Sequence, residues 1–188
     1  MKKINLLIAS LILILLSGCS NPPSASTFSH PTLGNADAKV LVEEFSDFQC
    51  PACGQISPQL DDVIERNSDI AKLVYYNFPL SYHQYAFKSA EAGLCAFDQG
   101  KFWEFSKKAF ADQENLTDDN LKKFASDLGL DMDKFNKCFE SGEKKTQIAS
   151  DQAEGNSRQL EYTPSIYVNG KLVQWSSSEE FEKYIKSL

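Results

Sequence analysis

Three shortages in the sequence each remove a class of function. Basic residues are scarce: 19 Lys and Arg stand against 26 Asp and Glu, for a formal net charge of −7. Beyond residue 19, with Lys2 and Lys3 set aside, 17 basic residues face 26 acidic ones, a balance of −9. Such a surface repels phosphate backbones, so nucleic acid is not an expected partner and the acidity reads as a solvated exterior. Histidine is scarcer still, at His30 and His83 only, which leaves little for an imidazole-rich metal centre. Long apolar runs are missing too. The stretch from Leu6 to Leu16 is about half of the ~20 residues that spanning hydrocarbon requires. No repeat at solenoid periods is present. What remains is an ordinary globular composition, 42% hydrophobic and 12% aromatic over 188 residues. That is enough for one domain whose core needs no disulfide to hold it together. Five cysteines in such a chain call for a purpose.

The first nineteen residues have the layout of a secretory signal: a basic start at Lys2 and Lys3, the short apolar run, then small residues. Leu16-Ser17-Gly18-Cys19 resembles a bacterial lipobox. The resemblance implies removal of residues 1–18 and a lipid on the Cys19 sulfur. Residues 19–30, rich in Pro and small polar side chains, read as a flexible tether. The folded domain is expected over 31–188. Export matters for the cysteines, because disulfides persist outside the cytosol. With Cys19 lipidated, four remain and allow two pairs.

Val40-Leu41-Val42-Glu43-Glu44-Phe45 reads as a strand covered on both faces. It runs into Cys50-Pro51-Ala52-Cys53, after which Ile56, Leu60, Val63 and Ile64 recur at helical spacing. A second strand is predicted over Leu73–Phe78, completing a βαβ unit with right-handed crossover. From about 83 to 160 the pattern turns helical. It has an Ala-rich stretch around Phe87–Phe97, another helix over Lys101–Phe110, and two shorter ones bounded by Thr117, Gly129, Asp131 and Gly142. Strand signals return at Ile166–Val168 and Lys171–Trp175 around the hairpin dipeptide Asn169-Gly170. Ser177 and Glu180 propose a capping box for a last helix. The predicted fold is α/β: a βαβ half and a ββα half separated by a helical insert.

Two cysteines three apart at a strand-to-helix junction sit within one helical turn, and Pro51 suits its start. The helix N-terminus stabilises a thiolate on Cys50, which makes Cys50 the attacking sulfur and Cys53 the resolving one. Half of a zinc site is the competing reading, but it needs two further ligands at workable spacing, and Cys95 and Cys138 are isolated while the histidines are His30 and His83 alone. A purely structural Cys50–Cys53 bridge is another, though so short a loop constrains the unfolded chain least. Glu44, six residues before Cys50 among apolar neighbours, is a candidate buried carboxylate that relays protons for Cys53; the adjacent Glu43 is its rival.

The chain resembles the DsbA-like group of thioredoxin-fold proteins, in its single-domain, exported or lipid-anchored bacterial branch. The likeness runs over about 31–188. It rests on Glu44-Phe45-Ser46-Asp47-Phe48-Gln49-Cys50-Pro51-Ala52-Cys53, on Phe78-Pro79-Leu80 with His83, on Gln99–Glu104, and on Thr163-Pro164 followed by Val168-Asn169-Gly170. The resemblance implies a thioredoxin fold with a helical insertion, and a cis-proline at Pro164 facing the Cys50–Cys53 pair. It also implies that the Thr163 backbone offers hydrogen bonds to an extended substrate. The alternative for Pro164 is an ordinary trans proline opening an edge strand. Ala52 stands where strong oxidases of the group often carry His, which leaves the oxidising strength open.

Cys95 and Cys138 lie in the helical insert, where both read as buried thiols or, in an oxidising compartment and by analogy with similar pairs in this branch, as a structural disulfide. The implied activity is dithiol–disulfide exchange with thiols of secreted or surface proteins, in the oxidase direction. It would use no metal or organic cofactor, and a quinone-linked membrane protein would reoxidise the pair. Two rivals remain: a reductase or isomerase with the same site, and a lipid-anchored peptide-binding module without redox chemistry. No dimerisation segment is evident, so a monomer is expected.

Overall fold

The computed structural model describes residues 28–188; the signal segment, Cys19 and most of the tether lie outside the described residues. Five strands form one sheet: β1 Thr32–Gly34, β2 Val40–Ser46, β3 Ala71–Asn77, β4 Ser165–Val168 and β5 Lys171–Val173, in the order β1-β3-β2-β4-β5. β2 pairs in parallel with β3 through the crossover helix α1 (Pro51–Arg66) and antiparallel with β4. Five α-helices fill the insert: α2 Ala86–Phe97, α3 Phe102–Ala111, α4 Asp118–Asp127, α5 Met132–Ser141 and α6 Lys145–Ser157. A 3-10 turn lies at Gln113–Asn115, and α7, Ser178–Ile185, closes the chain. Among the described residues no helix is long and apolar enough to cross a membrane.

The α/β class and the order of its two halves agree with the sequence reading, with corrections at the margins. β1 escaped it: three residues, mostly exposed, give no period to read, and their place comes from antiparallel pairing with β3. Helix α6 also escaped, because its buried residues Gln147, Ile148, Asp151 and Gly155 are mostly polar or small. β5 ends at Val173, two residues before the predicted Trp175, whose ring turns in against Phe181. Ser177 does cap α7 by accepting from the Glu180 N–H. The return bond of the expected box goes instead to Ser176, whose N–H and hydroxyl both donate to Glu180 Oε2. Thr117 and Asp131 cap α4 and α5, and Gly142 ends α5 in the left-handed region that glycine enters without strain. Ahead of residue 31 the chain is already attached: Gln147 donates to the Ser29 carbonyl, and His30 Nε2 lies 2.8 Å from Asp151.

Alternation along β2 decides the two faces of the sheet. Val40 and Val42 pack with Leu60, Val63 and Ile64 of α1 and Phe181 and Ile185 of α7. Phe45 faces the other way, onto Phe78 and Tyr167. The insert has its own core, in which Phe48 and Tyr75 from the sheet side meet Phe102, Phe105, Phe135 and Phe139. Gly93 in α2 permits this junction, since a Cβ there would stand 2.9 Å from the Phe48 ring. Cys95 and Cys138 are bonded, joining α2 to α5 with their Cα atoms 5.8 Å apart. Phe105 is fully buried and meets Phe48 and Phe124 edge to face and Phe135 at a tilt. Phe105→Ala is expected to lower unfolding stability by about 3–5 kcal/mol, read as a drop in the denaturant midpoint; a loss under about 1 kcal/mol would show that the insert core is not continuous.

Candidate active site

The loop between β2 and α1 is shaped by its own polar side chains. Asp47, buried at the strand end, accepts from the Gln49 N–H, the Leu80 N–H and His83 Nδ1 (2.7 Å). Gln49 Oε1 accepts from the Tyr85 N–H, and Gln113 Nε2, from the 3-10 turn of the insert, donates to the carbonyls of Phe48 and Cys50 at 2.8 Å each. The loop is thereby held from both sides of the chain. Cys50 becomes the N-cap of α1 in extended conformation, with Pro51 opening the first turn.

Cys50 and Cys53 are both thiols here, and their surroundings differ. Cys50 lies 7% exposed at the rim, while Cys53 is completely buried in the first turn. The Cys53 thiol donates to the Cys50 sulfur. Together with the free backbone N–H groups of Cys53 and Ala52, it outweighs burial and brings Cys50 down to about 5. The helix N-terminus foreseen from sequence contributes, but the neighbouring thiol contributes more. Burial, reinforced by that same hydrogen bond, drives Cys53 far up. As a thiol, Cys50 Sγ is 3.4 Å from the Thr163 carbonyl, and the Thr163–Pro164 bond is cis. A groove of about 310 Å³ opens beside them, lined by Ala52, Ile56, Tyr162, Thr163, Pro164 and Trp175 among others.

Behind Cys53 lies Glu44. Its side chain is wholly buried on the α1 side of β2, where the Ser57 hydroxyl donates to Oε1 while Oε2 has no partner in the chain. Burial raises its pKa to about 7 against the opposing hydrogen bonds from Ser57 and Ser46. Its rival Glu43 points to the opposite face and is held by Arg158 in a two-pronged pair at 2.8 and 3.1 Å. The structure thus brings Cys50, Cys53, Thr163, Pro164 and Glu44 together and leaves Glu43 out. Cys95 and Cys138 stand apart in the insert. Among the described residues the one group with metal-ligand geometry is Asp98, Cys138 and Glu143, and the Cys138 sulfur there is already bonded to Cys95. The sequence reading had not singled out Ser57, Tyr75 or Gln113. For Ser57 a signal existed, a small polar residue one helical turn after Cys53. For Gln113, which reaches across from another subdomain, none did.

Residues 26–187 match the family model described as "Thioredoxin". The Na(+)/H(+) antiporter NhaA 3 of Salinispora tropica is 33% identical over 139 residues, covering 73% of this chain and 21% of that protein. The chain spans about a fifth of the length of the curated relatives it matches, and the transport in their names stays with them. Oxidised BdbD of Bacillus subtilis superposes with a TM-score of 0.73 at 24% identity, covering 84% of this chain and 91% of that one. DsbA of Chlamydia trachomatis gives 0.74 at 18%, covering 89% and 95%. These likenesses show the shared fold.

Two titrations follow from the site. Alkylation of Cys50 by iodoacetamide is expected to rise with pH about a midpoint near 5; a midpoint at the ordinary thiol value of about 8.5 would mean that the thiolate is not stabilised. Glu44 has the opposite sign. Its folded pKa is raised, so the stability it contributes is full below its ordinary value of 4.5 and is lost as pH rises through about 7. Glu44→Gln should therefore unfold at higher denaturant than the parent at pH 8 and converge with it below pH 5. Equal midpoints at pH 8 would show that Glu44 ionises in the fold at no cost.

Proposed function

The chain belongs to the thioredoxin family, and from that premise we propose an exported, lipid-anchored thiol–disulfide oxidoreductase that oxidises thiols of secreted or surface proteins. The observation that carries this reading is the asymmetry of the pair: Cys50 brought down to about 5 at the rim of a groove, Cys53 buried beneath it and driven far up. In the oxidising direction a substrate thiolate attacks Cys50 of the Cys50–Cys53 disulfide. The S–S electron pair leaves on Cys53, which takes a proton from Glu44. A second substrate thiolate then attacks the substrate sulfur of the mixed disulfide and expels Cys50 as the thiolate. The substrate gains a disulfide, and the enzyme leaves with two electrons, Cys53 as a thiol, Cys50 as a thiolate and Glu44 one proton short.

A stable Cys50 thiolate favours the reduced enzyme and so makes its disulfide a stronger oxidant. That favours the oxidase over the reductase, even with Ala52 in place of His. The Thr163 backbone and Pro164 border the groove where an extended peptide would lie. Reoxidation falls to a membrane protein linked to quinone, and the lipid on Cys19 keeps the domain at that membrane, on the periplasmic or outer face. The domain works as a monomer, the Cys95–Cys138 bond bracing the insert that carries Gln113.

Equilibration of the Cys50–Cys53 pair against glutathione tests the direction. A potential toward roughly −120 mV fits the oxidase, and one near roughly −270 mV overturns it in favour of a reductase. A pair that will not cycle at all, or a Cys50→Ser chain that keeps its function in cells, would leave the peptide-binding module. Cys53→Ala should accumulate mixed disulfides on Cys50 that are resolved in the parent; their absence by mass spectrometry would remove Cys53 as the resolving thiol.

A further inference from the structure

Asp61 is a buried acid for which the mechanism has no use and to which the described residues bring no cation in direct contact. Asp61, eight residues after Cys53 on α1, is 2% exposed. Cys53, Ser57 and Asp61 follow one another at four-residue spacing on a buried stripe of the helix. Glu44 of β2 and Tyr75 of β3 face that stripe. Three atoms around it, Glu44 Oε2, Asp61 Oδ1 and the Tyr75 hydroxyl, make no hydrogen bond within the chain. Buried polar groups of this kind are ordinarily served by internal water. At the outer end Lys107 of α3 pairs with Glu65 at 3.1 Å, both about half exposed, and both act electrostatically on Asp61.

We propose that Asp61 is the second station of a proton path that runs from Cys53 through Ser46, Ser57 and Glu44 along the inner stripe of α1 to solvent at Lys107 and Glu65, away from the substrate groove. The inference rests on the exchange reaction above and adds a residue to it. When the substrate thiolate attacks Cys50, the electron pair released on Cys53 must be met by a proton, because a sulfur so deeply buried does not persist as an anion. Glu44 supplies that proton and becomes the charged group. Asp61 then supplies Glu44 and is itself refilled from water at the surface, ~12 Å along the helix from Cys53. Burial and the Glu44 charge keep Asp61 well above the usual carboxylate range, so that it is protonated when Glu44 has just given up its proton. The groups acting on Asp61 are Glu44 from β2, Lys107 from α3, and Asp62 and Glu65 from α1 itself. Its place in the path suits the reaction, since the mixed disulfide lies over the rim and the rear of the site is the side that remains open to proton exchange.

The test follows single-turnover reduction of the Cys50–Cys53 disulfide in the full chain by a cysteine-containing peptide, from pH 5 to 9, in water and in deuterium oxide. Asp61→Asn is expected to lower the limiting rate at pH 7 by about tenfold or more and to enlarge the solvent isotope effect. The half-saturating peptide concentration and the Cys50 alkylation midpoint should stay where they were, and Asp61→Glu should restore the rate. Lys107→Met, at an exposed site that cannot unfold the core, should move the pH profile upward by removing the cation that lowers Asp61. Unchanged rates and profiles in Asp61→Asn and Lys107→Met would overturn the proposal while leaving the oxidoreductase intact; so would an equal loss in Asp61→Glu, or a shifted Cys50 midpoint. If Asp61→Asn does not fold, the Lys107→Met profile and the Asp61→Glu rate decide alone. Failure of the parent chain to cycle would instead sink the oxidoreductase reading itself.

Discussion

The central strand carries two adjacent glutamates with almost no access to water, and the way each charge is managed organises the molecule. Period-two alternation sends them to opposite faces. Glu43 meets the guanidinium of Arg158, which also lies over the rings of Phe45 and Tyr167. The pair ties helix α6 to the sheet and neutralises the charge on that face. Glu44 meets no cation. The groups that reach it are the hydroxyls of Ser57 and Ser46, so in a medium of low polarity a proton is the counter-charge most readily available to it. One face of the strand thus holds a structural ion pair, and the other an unpaired acid whose pKa burial raises to about 7.

The same lack of polarity sets the two cysteines apart. One turn of helix separates an atom at the rim, reached by several donors, from an atom in the interior, reached by few. The difference does not come from the Cys-x-x-Cys spacing, which is the same for both sulfurs. It comes from the depth at which α1 begins, and that depth is fixed within the loop by Asp47 and from outside it by Gln113 on the Phe48 and Cys50 carbonyls and by Gly93, against which Phe48 is pressed. The insert therefore does more than add bulk. Phe110 and Leu116, on either side of the 3-10 turn from which Gln113 reaches the loop, are part of its aromatic core.

What could be read from sequence follows the same physics. The strands β2 and β3 and helix α1 were legible because their burial is periodic, and the cysteine pair because its position at a strand-to-helix junction carries a chemical meaning. Thr117, Asp131 and Gly142 were legible because caps act locally. β1 and α6 were not, since one is defined by its partner strand and the other buries polar residues that satisfy one another across the sheet, as Asp151 does with Asn77 and His30. The choice between Glu43 and Glu44 depends on register, which a one-residue slip inverts. Only the pairing of Glu44 with Ile166 and Tyr75 fixes it.

A buried acid destabilises any fold that must hold it charged, so a second one four residues beyond Ser57 calls for a reason. Position 61 faces the inside of α1, where Leu60 and Ile64 already supply apolar contact, and an aliphatic residue there would bury without an unpaired oxygen. Both acids have raised pKa values, Glu44 chiefly by burial and Asp61 by burial and then by the Glu44 charge, so that the charge left on Glu44 makes the proton on Asp61 harder to lose to water. Proton transfer needs such matched partners, and a single acid enclosed by hydrocarbon would give its proton once and wait for a rare opening of the fold to regain it. With Asp61 leading outward to Lys107, Glu44 can be recharged while the substrate still covers the rim.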